Sequence, residues 1–245
     1  MYYIYSSMDR QVLTGRQFNQ QFEGKIFAKL TNESENHYGF QYQTGLNIDH
    51  VPFNPQGECQ PGGLYFFSLN QLPFWLDYNA TIGPLCYVRL VTIPDEAQVY
   101  TEPLRYSRSI LGEMKIFVAE KFKADRLILG ERKRISELEM WNDRQSCLEA
   151  VEQNDYALKY VKDETEDFCL EAVKKNSYAL RYMKNPTEEI CFEAVRQDGL
   201  LLHFVKDQTE AICLEAIKQN SLASQYVRIH SVFERLKEVE VCECV

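Results

Sequence analysis

A tandem repeat of 22 residues between Asp143 and His230 limits the folds open to this chain more than any other feature. The pattern of Thr165–Val173 recurs in four copies, and the cysteine of each copy lies 22 residues after the previous one. A single unit of this kind cannot bury its apolar face alone, so neighbouring units stack around a continuous core. Stacked units present an extended surface, and the repeat therefore predicts a binding role. The four cysteines are Cys147, Cys169, Cys191 and Cys213.

Each unit is predicted to contain two short helices. The first begins at a residue whose side chain can accept a hydrogen bond from the first turn, and acidic residues that complement the helix dipole follow. Ile212, Cys213 and Ala216 have the apolar spacing of one helical face. A second, shorter helix follows, as in Ser177–Met183. The expected N-caps are Asp143, Thr165, Thr187 and Thr209, and the expected closing residues, of types that tolerate left-handed backbone, are Asn154, Asn176, Asp198 and Asn220.

Leucine-rich repeats also have a period in the twenties, but they need an extended strand segment that the repeated Cys-Leu-Glu-Ala-Val pattern does not provide. An all-helical solenoid is therefore predicted, with eight short helices between residues 143 and 230. The repeated cysteines lie among alanines and valines on the apolar face, so we expect buried, reduced thiols that pack as small hydrophobic groups. The recurrence of Ala150, Ala172, Ala194 and Ala216 predicts close contact between helices.

The residues before the repeat have a different character. Between residues 26 and 117 the chain is rich in turns and aromatic residues, and Leu85–Ile93 has its strongest strand pattern. The complete prediction is an α+β N-terminal module followed by an all-α helical-repeat solenoid. The expected boundaries are 1–130 for the module, with 1–25 as an extension, 131–142 for a junction and capping helix, 143–230 for the four repeats, and 231–245 for a C-terminal capping helix and tail.

Charge and hydropathy argue against several classes of partner. The chain has a formal net charge of −9, and residues 141–245 carry most of it, with 13 basic and 20 acidic residues. Nucleic-acid-binding domains usually carry a basic stripe, so an acidic array argues against that partner. The chain has no apolar run long enough to span a membrane, and its first residues lack the signal-peptide pattern. Because four of the eight cysteines occupy core positions, a reducing, intracellular location is expected.

Seven segments of the module occur in an order that resembles a known family. They are Lys29–Glu33, Tyr38–Tyr42, Thr44–Asp49, Val51–Pro55, Gly57–Phe66, Val91–Asp95 and Lys123–Leu129. Taken together, they are similar to the N-terminal module of giant-virus ankyrin-repeat proteins of the mimivirus type, and the C-terminal units resemble a short helical repeat of unknown function in the same viruses. The Thr-Pro-Leu-His signature of ankyrin repeats is absent. The resemblance implies a viral protein that acts inside the infected cell, in the host cytoplasm or in association with the virion, and it implies no activity.

The leading functional hypothesis is a non-enzymatic protein-interaction protein, used as an adaptor for host proteins. Equivalent solvent-facing positions differ between the units while the core positions do not, and such differences can determine which partner is bound. The alternative is that these differences are tolerated surface changes. The candidate contact residues are Tyr156, Tyr178, Arg181, His203, Gln225 and Tyr226.

The rival hypothesis is an enzyme with its site in the module around residues 47–65. Two glycines before an aromatic strand can hold a ligand against exposed backbone, although they also mark tight turns. A later Tyr-Val-Arg strand gives a likeness to ADP-ribosyltransferase folds, at the level of fold alone. A deep pocket with convergent polar groups would favour this hypothesis. Its candidate residues are Asn47, Asp49, His50, Gly62, Gly63 and Tyr65.

Other chemistry has weaker support, and we expect no cofactor and no metal. Four potential zinc ligands, His37, His50, Cys59 and Cys86, do not occur at paired ligand spacings. Asp49 next to His50 could form a catalytic dyad with Cys59, and a loop histidine is the alternative. The last four residues have the length of a prenylation motif, but Glu243 is not aliphatic, so a frayed tail is expected.

Overall fold

The computed structural model describes residues 2–4, 11–56, 60–78, 83–110 and 113–229. The described residues fall into two compact units, with the main division between residues 139 and 140. We call the first the sheet unit and the second the helical unit. None of the described helices is long and apolar enough to cross a membrane.

The sheet unit is mostly antiparallel β-sheet, in place of the more even α+β mixture that the sequence predicts. Ten strands form one sheet in the order β1-β9-β10-β7-β3-β8-β11-β6, with β2 beside β9 and β12 beside β8. The strands are β1 Tyr2–Ile4, β2 Gln11–Thr14, β3 Phe27–Asn32, β6 Gly45–Ile48, β7 Leu64–Ser68, β8 Leu85–Thr92, β9 Gln98–Ile110, β10 Glu113–Ala124, β11 Arg126–Leu129 and β12 Lys133–Arg134. A separate hairpin joins β4 Asn36–His37 to β5 Phe40–Gln41.

Helix α1, Gly15–Gln21, covers the core of the sheet unit. Its Phe18 is fully buried and packs against Phe27, Phe66 and Phe122 at ring-centroid distances of 5.0–5.7 Å. Gly15 begins this helix and packs closely against the chain, since a Cβ there would lie 1.8 Å from the carbonyl oxygen of Pro94. Residues 11–21 are thus part of the packed unit and not an extension from it.

The helical unit contains the eight predicted helices in the predicted order. Each copy has an α-helix followed by a 3₁₀ helix, and the described residues from 143 to 229 contain no strand. Neighbouring α-helices contact each other, and so do neighbouring 3₁₀ helices. The α-helices are α3 Arg144–Gln153, α4 Glu166–Lys175, α5 Glu188–Gln197 and α6 Glu210–Gln219. The 3₁₀ helices that follow them are Asp155–Tyr160, Ser177–Tyr182, Gly199–Phe204 and Ser221–Tyr226.

Three of the four predicted N-caps form the expected hydrogen bond. The side chains of Asp143, Thr165 and Thr209 accept from backbone amides of the first turn at 2.7–3.3 Å. Thr187 begins α5 without such a bond.

The four residues predicted to close the α-helices do so, but the left-handed conformation expected for them was wrong. Asn154, Asn176, Asp198 and Asn220 are extended, with φ between −153° and −145°, and not left-handed. One residue joins each α-helix to the 3₁₀ helix that follows, and extended backbone lets the chain turn at once into the second helix. The side chains of three of these residues accept from an amide of that helix, at Tyr156, Leu200 and Leu222.

The apolar faces of the repeat form the core of the helical unit as predicted. The four repeated cysteines are buried and free, and burial raises the pKa of the Cys169 and Cys191 thiols to about 11. The four repeated alanines are at most 1% exposed. At the start of this unit Trp141 is buried and stacks on Tyr160 at 5.3 Å. The predicted capping helix from Ser231 and the cysteine tail lie outside the described residues.

Candidate functional site

The sheet unit contains a cavity of about 330 Å³. Its walls come from β3, β7, the helix α2 (Leu72–Trp75) and the β4–β5 hairpin, and most of them are apolar or aromatic. Cavities of this size and composition are typical of sites for small molecules. The apolar and aromatic wall residues include Leu30, Phe40, Tyr42, Leu64, Phe66 and Trp75.

Five of the six site residues that the sequence predicts for this unit line the cavity. They are Asp49, His50, Gly62, Gly63 and Tyr65. The sixth, Asn47, is not at the cavity but is buried on β6, where its amide group bonds to the backbone of Gln43 and Gly45 at 2.8–3.0 Å. Asn47 thus shapes the backbone and is not placed to contact a ligand in the cavity.

The carboxylate of Asp49 is engaged by the backbone around it. It accepts hydrogen bonds from the amides of Gly63 at 2.6 Å and Val51 at 3.0 Å. His50 lies 3.8 Å from this carboxylate, is 73% exposed in its side chain, and stacks parallel to Phe40. The predicted dyad therefore has its carboxylate committed to a loop, and Cys59 lies outside the described residues.

Both glycines at the rim of the cavity are required by close backbone packing. Gly62 and Gly63 have φ angles of 88° and 134°, which side-chain-bearing residues rarely adopt. A Cβ at Gly62 would lie 2.2 Å from the oxygen of Pro52, and one at Gly63 would lie 2.6 Å from the side chain of Lys123. Lys123 is fully buried and donates to the carbonyl oxygen of Asn54 at 2.9 Å. The glycines thus allow a loop to close over a buried lysine.

Lys29 is the cavity residue that the sequence analysis did not single out. It lies on β3, is buried, and donates from Nζ to the carbonyl oxygen of Tyr65 at 2.9 Å. The same nitrogen lies 4.2 Å from the centre of the Tyr42 ring. Burial, with a smaller contribution from the charge of Lys121, lowers the pKa of Lys29 to about 7. The available signal was a lysine among the apolar residues at the start of a strand, between Phe27 and Leu30.

The other titratable groups near Lys29 belong to the framework. His37 is a cavity residue whose pKa burial lowers to about 3, so it is neutral, and its Nε2 accepts from the amide of Asn32 at 3.4 Å. Arg89, the cross-strand partner of Lys29, forms two 2.7 Å hydrogen bonds with Glu35. No group of three potential metal ligands is found in the part of the chain that the structure describes.

The helical unit presents a second candidate site on its 3₁₀ helices. Half-buried aromatic residues recur there every 22 residues, and the residue before each of the first three is basic or histidine. We define this surface as the aromatic strip. It consists of Tyr156, Tyr160, Tyr182, Phe204 and Tyr226 together with Lys159, Arg181 and His203.

Contacts between rings and cations connect the aromatic strip across the units. The Nζ of Lys159 lies 4.3 Å from the ring of Tyr156 and 5.0 Å from that of Tyr182 in the next unit. Arg181 lies 5.3 Å from both Tyr182 and Phe204. His203 continues the series to Tyr226, at 5.3 Å between ring centres.

The six predicted contact residues of the repeat fall into three groups. Four of them, Tyr156, Arg181, His203 and Tyr226, belong to the aromatic strip. Gln225 is exposed beside it, at the position equivalent to Arg181 and His203. Tyr178 instead donates to the carboxylate of Asp198 at 2.8 Å and so links two units. The recurring aromatic positions of the strip are visible in the 22-residue period, but the contact residues were predicted from positions that vary between units, which excludes those that repeat.

Comparison with known proteins places the chain among viral relatives. Residues 143–185 match a family model described as a domain of unknown function, DUF4116. The uncharacterized protein R869 of Acanthamoeba polyphaga mimivirus is 30% identical over 125 residues, which are 50% of this chain and 78% of that protein. The chain belongs to the same family as R869. The resemblance to mimivirus proteins that its sequence segments indicate is thereby confirmed.

Two relatives from the same virus are named as ankyrin repeat proteins. R868 is 30% identical over 48% of this chain and 51% of its own length. R896 is 29% identical over 48% of this chain and 30% of its own length. The chain thus spans about half or less of the length of these two relatives. No solved structure shows a significant match to it.

Proposed function

We propose that this chain is a non-enzymatic protein-interaction protein whose partner binds at the aromatic strip. The observation that carries the proposal is the continuity of the strip, in which rings and cations contact one another from Tyr156 to Tyr226 across all four units. Tyrosine and arginine are enriched among the residues that dominate binding energy at protein interfaces. Ankyrin repeat relatives support the same class of function.

The chemistry of the strip favours a partner segment with acidic residues. Lys159, Arg181 and His203 are exposed, and a second set of exposed basic residues follows the 3₁₀ helices at Lys162, Lys184, Lys206 and Arg228. Opposite charges on a partner would orient it, and the rings would supply apolar contact area. Two of the cations already have acidic neighbours, since Arg181 lies 3.6 Å from Asp155 and Lys184 pairs with Glu164. The partner therefore competes with pairs that already exist at the surface.

The proposal includes the larger architecture and the setting. Residues 143–230 form a solenoid of four units, preceded by a module over 1–130 and a junction over 131–142, and followed by a capping segment over 231–245. The protein acts inside the infected cell as an adaptor for host proteins, in the host cytoplasm or with the virion. The viral family and the stacked contacts of neighbouring helices support this picture.

The enzyme alternative draws its support from the cavity beside residues 47–65. Its acidic wall residue, Asp49, is engaged by the amides of Gly63 and Val51, and Lys29 is engaged by the carbonyl of Tyr65. Because these two side chains are already hydrogen-bonded to the backbone, they are better suited to bind a ligand than to transfer a proton or a chemical group to it. Binding by the helical unit is therefore the better-supported function.

The test is affinity capture of partners from infected host cells with the full chain. The double variant Arg181→Glu/Tyr182→Ala removes one cation and one ring from the centre of the strip. The control is Lys174→Glu, which changes the same charge at an exposed position of α4. A protein retained by the wild type and the control but lost by the double variant supports the proposal. Equal retention by all three proteins would contradict it.

A further inference from the structure

We propose that the cavity of the sheet unit binds a small apolar molecule that carries one acidic group, and that this group lies against the Lys29 ammonium. This binding site is separate from the aromatic strip, and the inference stands apart from the proposed protein-interaction function. It rests on the size and walls of the cavity, on the position of Lys29, and on the charges around it.

The cavity fits the apolar part of such a ligand. Its volume of about 330 Å³ lies at the lower end of the range for small-molecule sites. Leu30, Tyr42, Leu64, Phe66 and Trp75 contribute to its walls, and they offer a molecule with rings or a short chain several surfaces to pack against. Transfer of apolar surface from water into such a cavity is favourable.

Lys29 supplies the charge that selects an acidic ligand. Within the described part of the chain its Nζ contacts one carbonyl oxygen, that of Tyr65, and the face of the Tyr42 ring, and no carboxylate. An ammonium group has three donor hydrogens, so this arrangement leaves capacity for another acceptor. Burying a cation without an anionic partner costs free energy, and an acidic ligand would supply that partner.

The groups around Lys29 leave the cavity suited to an anion. Lys121, on β10, also lines the cavity, and its Nζ lies 4.2 Å from the ring centre of Tyr65. The carboxylate of Asp49 is held by two backbone amides. His37 stays neutral because burial lowers its pKa to about 3. Arg89, the cross-strand partner of Lys29, is satisfied by Glu35, and the two form a buried pair.

The same surroundings make binding depend on pH in a defined direction. Because burial lowers the pKa of Lys29 to about 7, the empty cavity loses its central cation as the pH rises above 7. An acidic ligand prefers the protonated amine, so its affinity falls over that range. A neutral ligand of the same shape has no such preference, and its affinity stays constant.

Two fluorescent probes of nearly the same shape test this inference on the full chain. Anilinonaphthalene sulfonate carries one acidic group, and phenylnaphthylamine has the same ring system without it. We expect saturable binding of the sulfonate with one site per chain, at least about tenfold tighter than the neutral probe at pH 6, since a charged hydrogen-bonded contact commonly accounts for such a factor. The affinity for the sulfonate should fall between pH 7 and pH 9, and that for the neutral probe should not.

Three variants locate the site. Lys29→Met keeps the length of the side chain and removes the charge, so it should reduce the affinity for the sulfonate to that for the neutral probe and abolish its pH dependence. Val51→Trp enlarges an exposed residue that lines the cavity and should weaken both probes. Lys133→Met, at an exposed lysine on β12, is the matched control and should change neither.

Several results would overturn the inference. They are the absence of saturable binding by either probe, equal affinity of the wild type and Lys29→Met for the sulfonate, and unchanged binding of both probes by Val51→Trp. Circular dichroism and thermal unfolding of each variant establish that it is folded. If Lys29→Met does not fold, the pH dependence of the two probes with the wild type decides alone, and equal pH profiles would refute the proposal.

Discussion

The helical unit and the sheet unit connect their residues over very different distances along the chain. In the helical unit, contacts join neighbouring copies, as between Tyr178 and Asp198, which are 20 residues apart. In the sheet unit, Arg89 pairs with Glu35 over 54 residues, and Lys25 pairs with Glu120 over 95. The helical unit repeats the same short-range contacts in four copies, and the sheet unit depends on long-range contacts that each occur once.

This difference determines how far the destabilising effect of a substitution should spread within each unit. Units of a repeat are coupled mainly to their neighbours, so the effect of a change should decay along the array. A sheet whose strands come from distant parts of the chain has no such direction, and the loss of one central contact should be felt throughout it. The buried pair of Arg89 and Glu35 is the sharpest case, because Arg89 also donates to Thr44 and to the carbonyl of Gly130.

The largest effect is expected from Arg89→Met, which leaves the carboxylate of Glu35 buried without its partner. Removing one member of a buried ion pair typically costs about 3–5 kcal/mol. Hydrogen exchange should show lost protection across β3, β8 and β11, while residues 143–229 keep theirs. The control is Arg16→Met, which breaks an exposed pair with Asp95 and should cost at most about 1 kcal/mol. Equal losses in the two units would remove the distinction between them.

The next effect is expected from Ala194→Leu in the third copy of the repeat. Ala194 is fully buried, and extra methyl groups in a packed core cost about 1–3 kcal/mol. Protection against hydrogen exchange should fall in α5 and, less strongly, in α4 and α6. Ala211→Leu, at an exposed position of α6, is the control and should change stability by less than about 0.5 kcal/mol. Unchanged protection in all three helices after Ala194→Leu would contradict the packing described for this residue.

Much of the helical unit could be predicted from the sequence alone. The positions of the helices, the buried cysteines and most N-caps follow from a pattern that occurs four times, so each copy supports the interpretation of the others. The 3₁₀ form of each second helix did not follow, nor did the extended backbone at Asn154 and its equivalents. Both depend on a single connecting residue whose conformation is set by how the two helices pack.

The sheet unit was predictable only strand by strand. The patterns of Leu64–Phe67 and Leu85–Ile93 are local, and both segments are strands in the structure. The order of the strands, the pairing of Arg89 with Glu35, and the approach of Lys29 to Tyr42 and Tyr65 arise from contacts between remote segments. Contacts between remote segments cannot be read from a single sequence, which explains why a site was proposed around residues 47–65 without Lys29.

A smaller effect should separate two copies that have the same residue at the same position. Thr165→Ala removes a cap in which the hydroxyl accepts from the amide of Phe168 at 3.3 Å, and such losses cost about 1 kcal/mol. Thr187→Ala is the matched variant, and it should cost much less because Thr187 makes no cap bond with α5. Urea unfolding of both variants measures the difference. A larger loss for Thr187→Ala would show that the two copies are capped alike in solution.

The last prediction concerns the effect of His37 on the free energy of unfolding, which is absent at neutral pH and appears only in acid. Burial lowers the pKa of His37 from 6.5 to about 3, with the charge of Lys29 lowering it further and that of Glu35 opposing the shift. Between these two values the unfolded chain binds a proton that the folded chain does not, so the free energy of unfolding falls as the pH drops below about 6.5. Above that pH, His37 is neutral in both states and contributes no pH dependence. His37→Gln should therefore lose less stability on acidification than the wild type.

The two tryptophans allow this effect to be assigned to one unit. Trp75 lies in the sheet unit and Trp141 in the helical unit. Urea unfolding followed by the fluorescence of Trp75, in a Trp141→Phe background, measures the sheet unit between pH 7 and pH 4. His50→Gln is the matched control, because it replaces a histidine whose side chain is mostly exposed, so the difference between the two variants isolates the buried position. If His37→Gln and the wild type lost stability in parallel below pH 6.5, His37 would be solvated in the folded protein, and the wall of the cavity would be more open to water than its contacts with Asn32 and Tyr42 imply.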